Sequence, residues 1–146
     1  MGKAARAIII ENDKFLVMYR NKYGSEYYTL VGGRVLDNEG IGEALVREVR
    51  EETGLKIRSG RLVFIEEHAA PYNEQYIYLC DVESHGDIAI DDASEEGQMN
   101  KLDMNVHRLH WIQSKSFAQL QFRTPQLQQA IVTALKKGFP KEPVKL

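Results

Sequence analysis

Three glutamates, Glu48, Glu51 and Glu52, stand three and four positions apart in a stretch that reads as a helix from about Gly40 to Thr53. Their carboxylates therefore share one side of it. Like charges at that spacing cost roughly 0.2–0.5 kcal/mol per pair, and Glu51 and Glu52 fall in the last turn, where the helix dipole disfavours anions. Two readings are open. In one, the acids are a solvated face, offset by Arg47 and Arg50. In the other they are a cation site: carboxylates on a rigid element, with no cysteine and no clustered histidine beside them, suit a hard oxygen-seeking ion such as magnesium (Mg2+) or manganese (Mn2+) rather than zinc. Departures from local consistency concentrate where function demands them.

The elements that would position this helix are legible in outline. Ala4 to Ile10 and Lys14 to Tyr19 read as a hairpin about Glu11, Asn12 and Asp13. Tyr27 to Val31 reads as a short strand running into Gly32 and Gly33. Asn38 is placed to cap the helix, Ile41, Leu45 and Val49 give its apolar stripe, and Gly54 sits where a left-handed C-terminal cap is wanted. Leu62 to His68, Gln75 to Val82 and Arg108 to Ile112 read as strands. Thr124 and Pro125 open a second helix, carrying Leu127, Ala130, Ile131, Ala134 and Leu135 up to Gly138. The simplest architecture is α/β (α+β), a mixed sheet between helices. One domain over residues 1–139 is expected, with 140–146 as a loose tail. Residues 83–105 lack periodicity, which points to a functional loop or to disorder.

Composition excludes several classes. At 146 residues with 43% hydrophobic and 27% charged content, the chain is that of an ordinary soluble domain. Its longest aliphatic runs fall far short of the ~20 residues that cross a bilayer, and no secretory pattern opens it, so a cytoplasmic protein with no membrane partner is expected. The net charge of -2 argues against a nucleic-acid duplex as partner. Residues 83–105 carry a local charge of -6, which leaves a mildly positive +4 for the rest. The single Cys80 reads as core. His107 and His110 fall on opposite sides of a strand, which argues against a zinc pair.

The pattern around the three glutamates is more specific than the glutamates alone. The chain reads Gly33, five residues, Glu39, seven residues, then Arg47, Glu48, Val49, Arg50, Glu51, Glu52, Thr53, Gly54 and Leu55. This resembles the Nudix box at every fixed position. The flanking strand order, the Trp111-bearing strand and the C-terminal helix are also similar to the α/β/α sandwich of the Nudix hydrolases. The resemblance implies a Mg2+- or Mn2+-dependent pyrophosphohydrolase that cuts a nucleoside diphosphate derivative, a small-molecule nucleotide, by in-line attack of a metal-activated water. It implies Glu48, Glu51 and Glu52 as metal ligands, joined by the backbone carbonyl of Gly32. Arg47 and Glu39 would orient the glutamates and brace the loop. Glu48 is the first choice of general base, and Glu96 or Glu95, in the acidic loop, the second.

Arg20, Tyr28, Gly33 and Tyr72 are the substrate-side candidates, each with a plainer alternative as a strand end, a packing aromatic or a turn residue. Tyr28 and Val31 stand where many relatives have tryptophan and proline, and Asn38 where a glycine is usual, which leaves base specificity open. Pro71 and Tyr72 satisfy the spacing clue for ADP-ribose hydrolases and the one for dinucleoside polyphosphate hydrolases together, so the clue does not choose. A homodimer is compatible with the sequence. The competing class is a Nudix-fold module that binds a nucleotide without cleaving it, against which stands the full set of box glutamates.

Overall fold

The first hairpin turns on Asn12 and Asp13, both with positive φ (49° and 65°), the conformation of a two-residue type I′ turn that Asn and Asp tolerate. Its strands, β1 (Gly2–Glu11) and β2 (Lys14–Lys22), pair only beside the turn, at Ile10 with Phe15 and Glu11 with Lys14. They then part. The computed structural model describes residues 2–67, 72–83 and 105–146. Beyond the hairpin it comprises β3 (Ser25–Thr29), β4 (Val31–Arg34), α1 (Ile41–Thr53), β5 (Ile57–Glu67), β6 (Tyr72–Val82), β7 (Asn105–Gln113), a 3-10 turn (Ser114–Gln119), α2 (Pro125–Lys137) and β8 (Val144–Lys145). The strands form one mixed eight-stranded sheet in the order β3-β2-β1-β6-β5-β8, with β4 also on β1 and β7 also on β2.

Helices α1 and α2 cover opposite faces of the sheet. Ala44, Leu45 and Val49 of α1 pack with Ala5, Ala7, Ile9, Leu16, Met18 and Val31, while Leu127, Ile131 and Ala134 of α2 pack with Ile8, Phe15, Val17, Phe64 and Ile77. Alternation along β1 sends odd positions to α1 and even ones to α2. The expected mixed sheet between helices is thus what the chain forms. Cys80, in the α1-side core and 7% exposed, has its thiol pushed up to about 12 by burial, as suits an inert packing residue. Among the described residues no helix is long and apolar enough to cross a membrane.

Four expectations are corrected. The strand read over Tyr27–Val31 is two strands: β3 pairs with β2 and β4 with β1, and the chain changes partner at Leu30. An apolar run carries no mark of which neighbour it hydrogen-bonds. Asn38 is not the cap of α1; Gly40 is, its N–H donating to Glu43 Oε1 at 3.2 Å, because the helix starts two residues later. Strand β5 begins at Ile57, ahead of the expected Leu62, since its polar Arg58–Arg61 segment still pairs with β6; His68 lies outside the described residues. The last three residues of the tail read as loose lie along β5, with Phe64 opposite Val144, Ile65 opposite Lys145 and the Leu146 N–H donating to the Ile65 carbonyl at 2.9 Å. Gly54 and Thr124 cap as expected: Gly54 is left-handed at φ 78°, and Thr124 Oγ1 accepts from the Leu127 N–H at 3.2 Å.

Deleting residues 144–146 removes these backbone bonds and the packing of Leu146, so the free energy of unfolding in urea should fall by roughly 1–3 kcal/mol. Replacing Lys145 alone by alanine removes an exposed ion pair with Glu67 but keeps the backbone pairing, and should leave the urea midpoint nearly unchanged.

Candidate functional site

Helix α1 lies against β4, and beside the apolar packing at Val31 two carboxylates of the helix face the strand. Glu48 is 7% and Glu52 3% exposed. The strand opposite them is Gly32–Gly33. At Gly33 a Cβ would lie 2.6 Å from Cδ and Oε2 of Glu48, so any side chain there would displace that carboxylate from its present place. Gly32 has φ 133°, and a Cβ there would stand 2.1 Å from the Ala5 carbonyl oxygen of β1. Its backbone N–H donates to Glu52 Oε1 at 2.5 Å. The glycine pair is therefore the floor against which two buried acids rest.

Arg47 ties the remaining acids to this floor. Its Nε and Nη2 form a fork on Glu39, at 2.7 and 3.0 Å; Nη1 reaches Glu48 at 2.9 Å and Glu51 at 3.2 Å; Nη2 also donates to the Arg34 carbonyl at 3.0 Å. Glu39 accepts in addition from the Leu36 N–H at 3.1 Å, bracing the loop before α1. The hydrogen bond from Arg47 holds the Glu39 carboxyl below the usual carboxylate range, against the opposing effect of burial. The same pair, with Glu48, pushes the Arg47 guanidinium up from its already high value. One positive charge thus contacts three carboxylates, Glu39 before α1 and Glu48 and Glu51 on it, and Glu52 of α1 adds a fourth.

The donor set fits a hard cation. All side-chain donors are carboxylate oxygens, their negative charge exceeds what Arg47 brings, and two of them are withdrawn from water. Among the described residues no three His, Cys, Asp or Glu groups already stand close enough to hold an ion between them. The geometry gives the reason: Arg47 Nη1 lies between Glu48 and Glu51 and takes an oxygen of each. Glu51, whose side chain is 32% exposed and whose bond to Arg47 is the longest of the set, is the member with room to turn.

The structure brings together Gly32, Gly33, Arg47, Glu48, Glu51 and Glu52 among the residues read from the sequence. It engages others elsewhere. Arg20 donates through Nη2 to Asn105 Oδ1 at 2.7 Å and lies 5.7 Å from the Tyr27 ring. Tyr28 packs edge-on to Tyr19 and near His110. Tyr72 opens β6 opposite Gly2. Pro71, Glu95 and Glu96, with most of the acidic loop, lie outside the described residues. Two residues near the site escape the sequence reading: Arg6, whose Nη1 donates to the Gly32 carbonyl at 3.0 Å, and Gln75, which accepts from Arg6 Nε at 3.1 Å. The signal available was an arginine standing inside the apolar run Ala4 to Ile10. The Gly32 carbonyl, expected to face an ion, is met by Arg6, which leaves it one further lone pair.

A family model described as NUDIX domain matches residues 1–131. The chain is 32% identical over 65 residues to an RNA pyrophosphohydrolase of Pasteurella multocida, a match covering 44% of this chain and 33% of that protein. It is 31% identical over 74 residues to the NAD-capped RNA hydrolase NudC of Photobacterium profundum, covering 51% and 28% respectively. It thus spans about a third or less of the length of these curated relatives. Among solved structures, a NUDIX hydrolase from Nitrosomonas europaea superposes with a TM-score of 0.70 at 21% identity, over 94% of this chain and 90% of that one, a likeness of fold.

His107, 6% exposed in β7, is held down to about 4 by burial and then by the charge of Arg20, with its backbone bond to Asn105 opposing. In the unfolded chain this imidazole takes up a proton near 6.5, in the folded protein only near 4. Stability should therefore fall as pH drops from about 6.5 toward 4. Urea midpoints measured across that window should show a shallower slope in His107→Gln.

Proposed function

The chain belongs to the Nudix hydrolase family, and on that premise we propose that it cleaves a pyrophosphate bond in a nucleoside diphosphate derivative, with magnesium or manganese held by Glu48, Glu51 and Glu52. The observation that carries this reading is the gathering of Glu48, Glu51 and Glu52 on one side of α1 at Gly32–Gly33, an all-oxygen donor set of the kind a hard cation takes. The curated relatives are, by name, an RNA pyrophosphohydrolase and an NAD-capped RNA hydrolase, which supports a nucleotide substrate. When bound, a divalent ion of this kind lowers the pKa of water and neutralises charge on the bridging and leaving oxygens of a diphosphate.

The chain's own groups divide the remaining work. Gly32 fixes Glu52 through its N–H, and Arg47 fixes Glu48 and Glu51 while Glu39 anchors Arg47. Such supports hold carboxylates in one orientation as charge changes around them. Glu48 is the proposed base that takes the proton of the attacking water; Glu96 or Glu95 is the second choice. Arg20, Tyr28, Gly33 and Tyr72 are the proposed substrate-side residues, Arg20 as a phosphate partner and the tyrosines as surfaces for a base.

Glu52→Gln keeps an oxygen acceptor for the Gly32 N–H and removes the charge, so the fold should survive while turnover falls at least about 100-fold. Phosphate and monophosphate release would be measured with a nucleoside triphosphate, ADP-ribose, a nucleotide sugar and a dinucleoside polyphosphate, each with Mg2+ and with Mn2+. Hydrolysis of none of the four by the unaltered protein, or near-normal turnover in Glu52→Gln, overturns the reading. Gly33→Ala, which drives a methyl group into the Glu48 carboxylate, should lose turnover as well, and circular dichroism should show it folded.

A further inference from the structure

The sheet face turned toward α2 is apolar at Ile8, Phe64, Ile77 and Leu79, but one row of it is polar. Strand alternation puts Arg6 of β1, Gln75 of β6 and Glu66 of β5 on that face. Glu66 and Gln75 are register partners, and Arg6 Nε donates to Gln75 Oε1 at 3.1 Å. At one end of the row Glu66, 2% exposed, accepts from Thr124 Oγ1, the cap of α2. At the other end Arg6 lies over Gly32, its register partner in β4, where no side chain intervenes. There Nη1 donates to the Gly32 carbonyl at 3.0 Å and meets the Leu30 carbonyl at 3.4 Å.

Gly32 is therefore gripped on both sides of the sheet: its N–H by Glu52 from α1, its carbonyl by Arg6 from the opposite face. We propose that Arg6 is a positioning residue for the acidic site, fixing Gly32 so that its N–H holds the Glu52 carboxylate in place. The proposal rests on the pyrophosphohydrolase reading above. An ordinary strand residue at position 6 would be apolar, as Ile8 is. The guanidinium is suited to the task because its planar fork reaches Gln75 and a backbone carbonyl together, which the single ammonium of lysine does not reproduce. Gln75 keeps the fork from rotating away, and its register partner Glu66 accepts from the cap of α2.

The test uses the full chain and two readouts. One is binding of Mn2+ without nucleotide, followed by the electron paramagnetic resonance of the free ion; the other is kcat and KM for whichever substrate class the panel assigns. Arg6→Met should weaken Mn2+ binding about 10-fold or more and lower kcat about 10- to 100-fold, the range for groups that orient a metal ligand, with KM little changed. Arg6→Lys should recover part of both, and Gln75→Leu should show a smaller loss in the same direction. If Arg6→Met does not fold, as judged by thermal melting, the other two variants decide: Mn2+ affinity unchanged in both overturns the proposal. Unchanged or tighter Mn2+ binding in a folded Arg6→Met also overturns it, and so does a loss confined to KM, which would make Arg6 a substrate contact. An unaltered protein that binds no Mn2+ sinks the hydrolase reading and this inference together. Binding that persists undiminished in Arg6→Met sinks the positioning role alone.

Discussion

Glu48 and Glu52 are pressed, nearly out of reach of water, against a strand that has no side chains at the point of contact. Two like charges on one helix, one turn apart and both more than nine-tenths buried, oppose folding unless something compensates them. What compensates them is distributed. Gly32 supplies a backbone donor to Glu52, and Arg47 supplies a guanidinium whose other bonds, to Glu39 and the Arg34 carbonyl, hold it still. The rest of the molecule can be seen as what brings these groups to one place. Strand β1 carries β4, β4 carries the glycines, and α1 is held on them by Leu45 and Val49 packing over Ala5, Ala7 and Ile9.

The small residues of β1 belong to the same constraint. Ala5 and Ala7 sit under α1, where larger side chains would lift the helix and with it the carboxylates from the glycine floor. Gly32 repeats the logic one layer down, since its missing Cβ is what lets β4 lie close to Ala5. The charged seam is thus bordered by small, closely packed residues, and its geometry follows from volume as much as from charge.

Much of this was legible in the sequence. Helix α1 could be read from its stripe and its Gly54 cap, and the acidic cluster from spacing alone, because three- and four-residue separations on a helix fix which side chains meet. Glu39 and Arg47 could be expected together only through the resemblance, as seven residues lie between them and Glu39 stands ahead of the helix that carries Arg47. The hydrogen-bond partners of strands were not legible. Tyr27–Val31 reads as one run but serves two parts of the sheet, and Val144–Lys145 has too little pattern to announce a strand. Arg6 escaped for a related reason: an arginine in an apolar run signals that something polar lies opposite, and what lies opposite was a glycine's carbonyl, which no side-chain pattern records.

The hairpin that joins β1 and β2 for only two residue pairs, then releases them to different neighbours, bears on how the chain can acquire its site. Strand β1 is completed in parallel by β6, whose partners lie about seventy residues further along, Ala5 with Tyr76 and Ala7 with Tyr78 among them. Parallel pairing at that separation carries a loop-closure cost that local contacts do not repay. The stretch from Gly33 to Leu55, compact as it is in the sequence, is then no portable module. Grafted elsewhere it would bring its acids and its arginine but leave behind the strand that makes a platform for them, and during synthesis it must wait for β6, which ends at Val82, before that strand is paired on its other side.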